Sequence, residues 1–174
     1  GSFQQVNDML QRIRSLSVQS ANGIYSSSDR AQIQVEVSQL IDEIDRIATS
    51  AEFNRVKMFT GIYAKNSKTG SMFFHVGANK NQRIRVYIGT MSAKAFNLVD
   101  QANKKRSIST VGQANSMIGY VDNALDKVNR QRAELGAYYN RMENTMLALA
   151  RSSENLISAD SRVRDADMAT EMVE

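Results

Sequence analysis

Side chains able to do covalent or acid–base chemistry are few in this sequence. Among 174 residues there is one histidine, His75, and no cysteine. Disulfide scaffolds, thiol nucleophiles, thiolate metal sites and sites built from several imidazoles are therefore excluded. His75 lies in the apolar run Met72-Phe73-Phe74-His75-Val76, where it reads as a packed or strand-edge residue rather than a ligand. Asp42 and Asp45 form a carboxylate pair, but on an exposed helix face, where solvation gives no reason for a tuned acid and base. Neither Gly77-Ala78-Asn79 nor Gly89-Thr90 carries the glycine and lysine spacing of a phosphate loop. Met142 and Met146 fall on a helical seam and are expected to fill a core. No catalytic, cofactor-binding or metal site is expected, and the chain does not read as an enzyme.

What remains is charge. From Arg55 to Arg106 there are eleven Lys or Arg against one acid, Asp100, whereas the rest of the chain carries eleven bases and seventeen acids. A basic middle thus sits between two acidic flanks, inside a formal net charge of +4. Lys80, Arg83, Arg85, Lys94, Lys104, Lys105 and Arg106 are expected to face outward, because the flanks supply the core. Nucleic acid is one candidate partner for such a surface. Against it, the bases do not follow one helix, the flanks are acidic, and Tyr87 and Phe96 make no stacking platform.

The elements that must position these residues are legible in the hydrophobic period. The chain has no proline, so long helices are permitted. Phe3, Val6, Leu10 and Ile13 mark one helix face, and Asn22-Gly23 marks its stop through residues that tolerate the left-handed conformation. Ser26, Ser27 or Ser28 caps a second helix, with Asp29 suited to its positive end. Its seam is Ile33, Val37, Leu40, Ile44 and Ile47, a coiled-coil pattern. The period then changes. Ile84, Val86 and Ile88 alternate with Arg85 and Tyr87, and Met72–Val76 supplies the second strand of a β-hairpin. An earlier short strand is expected around Val56–Phe59.

The last flank is the most periodic. Stepping alternately by three and four from Val111, thirteen of seventeen positions to Asp167 are apolar. A helix from about Ser109 to Asn155 would be near ~70 Å long at ~1.5 Å per residue, against a radius of gyration near ~16 Å for a compact domain of this size. The expected fold is mainly α: an elongated, coiled-coil-like bundle of three long helices with a small β-hairpin region. Its parts are an N-terminal helical flank (3–54), a basic β-hairpin region (55–106) and a C-terminal long helix with its tail (107–174), all within one core domain. Gly1-Ser2 reads as a cloning scar and the chain as a piece of a longer protein. No apolar run is long enough for a membrane span. From Ser158 onward the stripe breaks at Asp160, Arg162, Arg164 and Asp165, so this tail is expected to lack a packing partner.

Taken in order, these segments resemble bacterial flagellin. Gln11–Asn22 is similar to the flagellin segment QRVRELAVQSAN, and Ile33–Glu36, Asp42–Ile47 and Phe53-Asn54 resemble its next helix. Arg132–Ala137, Asn140–Met142, Glu154–Leu156 and Ser161–Asp167 are similarly placed at the far end. The short middle, with Phe74–Asn79 and Tyr25-Ser26, most resembles the spirochaete core flagellins. The resemblance implies a structural filament subunit for motility, without its polymerising terminal helices and without outer domains, and periplasmic if of the spirochaete type. It implies partners as well: further copies of itself, flagellar sheath proteins, an export chaperone and an assembly regulator. Matching positions also suggest a surface for the flagellin-sensing Toll-like receptor, an innate immune receptor, at Arg12, Leu16 and Glu36. A sheath-docking role would fall to the basic surface Lys80, Arg83, Arg85, Lys104, Lys105 and Arg106. The competing expectation is a non-flagellar coiled coil or a nucleic-acid-binding helical protein.

Overall fold

A computed structural model describes residues 1–53, 56–65, 72–77 and 81–171. It contains three helices, α1 (Ser2–Ala21), α2 (Ser27–Ser50) and α3 (Val111–Glu171). Between α2 and α3 lie four short strands: β1 (Glu52–Phe53), β2 (Val56–Lys57), β3 (Met72–His75) and β4 (Arg83–Val86). They pair as two separate two-stranded sheets, β1 with β2 and β3 with β4. The β1–β2 pair is antiparallel, with Glu52 opposite Lys57.

The helix boundaries follow their sequence signals with one correction. Ser26 is the N-cap of α2: its hydroxyl accepts the Asp29 amide while the Asp29 carboxylate accepts the Ser26 amide, a reciprocal capping box. The Ser26 hydroxyl, which also donates to the Asp29 carboxylate at 2.7 Å, and the Ser26 amide hold that carboxyl below the usual carboxylate range. Helix α1 does stop at Asn22, but in extended conformation (φ −71°, ψ 130°) rather than left-handed. The Arg30 guanidinium takes up the freed carbonyls of Ser20 and Asn22, which removes the need for a left-handed cap. Helix α3 is longer than the seam suggested, continuing through the charged tail to Glu171.

The chain divides into two compact units, Gly1–Met72 with Val86–Leu135, and Phe73–Arg85 with Gly136–Glu174. In the first unit α1 and α2 run antiparallel, because Ser20 meets Arg30 near the turn and Arg12 meets Glu36 farther from it. Its core combines Val6, Leu10 and Ile13 of α1, Val37, Ile41 and Ile44 of α2, and Met117, Val121 and Val128 of α3, all essentially inaccessible to water. The irregular segment 88–108 completes it with Met91, Phe96, Leu98 and Ile108. Phe3 meets Phe59 edge-to-face at 4.7 Å between ring centres.

Two glutamines fix the irregular segment to the helices. Gln34 accepts the Ile108 amide through Oε1 and donates through Nε2 to the Arg106 carbonyl. Gln131 accepts the Gly89 amide at 2.8 Å and donates to the Tyr87 carbonyl at 3.0 Å. Each side-chain amide thereby satisfies a carbonyl and the amide two residues on, as a neighbouring strand would. Asp45 does similar work, accepting the Ala93 amide at 2.6 Å.

The long seam requires a second correction. The buried positions of α3 are Ala114, Met117, Val121, Ala124, Val128 and Gln131, so the packed face is rotated slightly from the stepped seam. From Arg132 to Arg164 no residue of α3 is buried. Met146 is 62% exposed and Met142 only half-buried, so neither is a core filler; Tyr139, Leu156 and Val163 are exposed too. Periodicity marks a face able to pack, and packing needs a second surface. Among the described residues of the second unit, only the β3–β4 hairpin supplies one.

Candidate interaction surfaces

Arg12 and Glu36, on α1 and α2, form an ion pair at 2.7 Å and keep 54% and 42% of their side chains exposed. Leu16 lies one turn on in α1 but is 3% exposed. The packing of α1 on α2 draws it into the core, so the Leu16 side chain is not part of a reachable surface as expected. A second exposed pair, Arg14 with Asp122 at 2.7 Å, ties α1 to α3.

The basic residues do not form the uniform outward set expected from the sequence. Lys80 lies outside the described residues. Lys94 and Lys104 are exposed, but Lys105 is half-buried and paired with Asp42 at 2.5 Å. Arg106 donates from Nε to the Asn97 carbonyl and stacks on Tyr120 at 4.1 Å from the ring centre. Both are held inward because the turn carrying them, closed by a Val99–Lys105 bridge, lies against α2 and α3. These residues belong to the first unit, whereas Arg83 and Arg85 belong to the second.

In the β3–β4 hairpin, β4 sorts its side chains by face, as strand alternation requires, whereas Phe73, Phe74 and His75 of β3 are all exposed. Ile84 and Val86 are buried, while Arg83 and Arg85 are exposed and both guanidiniums lie over the Phe73 ring, at 4.3 and 4.8 Å. Such stacking orders two long cations that would otherwise be mobile. His75 shares the strand face of Phe73 and is exposed rather than packed. Among the described residues no cluster of His, Cys, Asp or Glu is arranged to hold a metal ion, and no helix is long and apolar enough to cross a membrane. Glu43 and Arg46, one turn apart on α2, pair at 2.5 Å, which lowers the glutamate's pKa and raises the arginine's.

Comparison with known proteins agrees with this architecture at both ends. Residues 1–64 match the bacterial flagellin N-terminal helical region, and residues 118–174 match the bacterial flagellin C-terminal helical region. The chain belongs to the flagellin family. Over 99% of its length it is 53% identical to the flagellar filament 33 kDa core protein of Treponema phagedenis, and over 97% it is 52% identical to a flagellar filament core protein of Brachyspira hyodysenteriae. It spans 62% and 61% of those two core proteins' own lengths. The crystal structure of Bacillus cereus flagellin shares the fold, with a TM-score of 0.69 and 22% identity over 84% of this chain and 79% of that one. Family membership sets aside the non-flagellar coiled coil, and the flagellin family is structural rather than enzymatic.

Proposed function

We propose that this chain is the helical core of a structural subunit of a flagellar filament, assembling with copies of itself. The observation that carries this reading is the 53% identity, across nearly the whole chain, to a filament core protein. Likeness to Treponema and Brachyspira core proteins favours a periplasmic filament. Surface chemistry supports a binding role, since exposed cations, ion pairs and apolar side chains can set register between neighbouring molecules. An antibody raised against this chain should decorate isolated flagellar filaments along their length; bare filaments would remove the reading.

Two further surfaces are proposed within it. The ordered Arg83–Phe73–Arg85 stack favours docking of an acidic sheath protein on the hairpin. Charge reversal of Arg83 and Arg85 should then abolish co-sedimentation of sheath protein with filaments, and salt should weaken it. The exposed Arg12–Glu36 pair favours a receptor-facing surface across α1 and α2. Joint replacement of Arg12 and Glu36 by Ala should lower signalling through the flagellin-sensing receptor, and unchanged signalling would dismiss that role. An export chaperone and an assembly regulator remain proposals from the family resemblance alone.

A further inference from the structure

Inside the second unit a groove of about 390 Å³ runs between the end of the β3–β4 hairpin and α3. It is lined by Arg83 from the hairpin and by Arg141, Thr145, Ala148, Leu149 and Ser152 from α3, with no acidic residue among the described residues of its wall. Two features make it chemically uneven. Arg141 is exposed and forms no ion pair among the described residues; its helix neighbours at three and four residues, Ala137, Tyr138, Asn144 and Thr145, are all uncharged. Arg83 is ordered by its stack on Phe73 before any ligand arrives, which reduces the entropy lost on binding. Beside these cations Leu149, 38% exposed, and Ala148 offer an apolar wall.

We propose that this groove docks an acidic polypeptide segment in which a carboxylate sits next to an aliphatic side chain. Arg141 and Arg83 take the carboxylate, for which a planar guanidinium is the best-matched donor. Leu149 and Ala148 take the aliphatic neighbour, and the Thr145 hydroxyl, which already donates to the Arg141 carbonyl, still accepts an amide from the bound chain. The volume suits a few side chains rather than a whole domain. This inference rests on the docking reading above and names its site and the partner's local chemistry. It adds Arg141 and Leu149, which lie far from the basic middle in sequence.

The test is fluorescence anisotropy with a short labelled peptide of glutamate interspersed with leucine, titrated with the intact chain at low and moderate salt. Matched peptides carry glutamine for glutamate, or serine for leucine. Arg141→Gln is expected to weaken the acidic peptide about tenfold or more, Arg141→Lys to restore part of the loss, and Leu149→Ser to erase the preference for leucine. Lys104→Gln, in the first unit, should leave binding unchanged. Arg141 and Leu149 are both exposed on a helix, so unchanged circular dichroism separates lost binding from lost folding. Equal binding of the glutamate and glutamine peptides, or an Arg141→Gln variant that binds like the parent, overturns the proposal. Displacement of the peptide by a short DNA duplex that itself binds more tightly also overturns it, by reassigning the groove to a polyanion. If the peptide binds as stated while sheath co-sedimentation survives reversal of Arg83 and Arg85, the groove stands and the sheath reading falls.

Discussion

Replacing Gln131 by Met keeps the length of the side chain and removes its amide. In the native chain Gln131 is 8% exposed, accepts the Gly89 amide at 2.8 Å and donates to the Tyr87 carbonyl at 3.0 Å. The substitution withdraws an acceptor from a partly buried amide, at a cost of about 1–3 kcal/mol rather than the smaller net value of a solvent-exchanged bond. For a chain of this size, a loss near ~2 kcal/mol lowers Tm by roughly 4–8 °C. Gln131→Glu separates the two hydrogen bonds. It retains the acceptor, loses the donor and places a carboxylate against the Tyr87 carbonyl and near Glu134, which donor-bearing Gln131 approaches at 3.4 Å. The folded-state pKa of the introduced carboxyl is therefore raised, since its protonated form alone can donate to Tyr87. A raised pKa means stability present below the unfolded value and lost as pH rises through the folded value. The Glu variant should accordingly approach the native chain in acid and fall behind it at neutral pH, while the deficit of the Met variant stays comparatively flat with pH. Denaturant melts of the three proteins across pH, with hydrogen exchange at the Gly89 amide, read both effects. Variants within about 0.5 kcal/mol of the native chain, the level of ordinary surface changes, would refute the clamp. So would unchanged Gly89 protection.

Other perturbations sample the rest of the structure. Leu10→Ala, at a position with no exposed surface, should cost about 2–5 kcal/mol in denaturant melts. Val163→Ser, at 66% exposure, should stay within about 0.5 kcal/mol. Ser26→Ala should destabilise α2 by about 1 kcal/mol and raise the Asp29 pKa towards its ordinary value, read by NMR titration. Because the native Asp29 pKa is lowered, its contribution is present above the ordinary carboxylate range and is lost as pH falls through the lowered value. Gln34→Met should mirror Gln131→Met, exposing the Ile108 amide to exchange.

The three helices and the hairpin were legible because each rests on local information. Ser26 and Asp29 announce the start of α2 through the capping box, and the alternation of Ile84, Val86 and Ile88 announces the buried face of the hairpin strand. Which turn of each seam packs was less legible. Ile41 is buried where Leu40 was expected, and Met117 and Ala124 where the seam stepped through Ile118 and Leu125. A heptad allows a wide stripe, and the partner selects its centre. The glutamine clamps and Asp45 were illegible for a different reason: their partners lie 42 to 74 residues away, and no local pattern distinguishes a clamping amide from a solvated one. Among the candidate surface residues, Arg12 and Glu36 were named without their ion pair. Lys105 and Arg106 were read as outward because their partners Asp42 and Tyr120 lie on other elements. Arg141 carried only one signal in sequence, the absence of an acid three or four residues away.

Assembly is the most direct test of the central claim that this is the core of a filament subunit. Sedimentation followed by electron microscopy should compare this chain with one extended to the full length of its Treponema relatives, each seeded with fragments of natural filaments. The account predicts ordered filaments in the pellet of the longer chain. A longer chain that stays in the supernatant under seeding, or pellets only as amorphous aggregate, would contradict it.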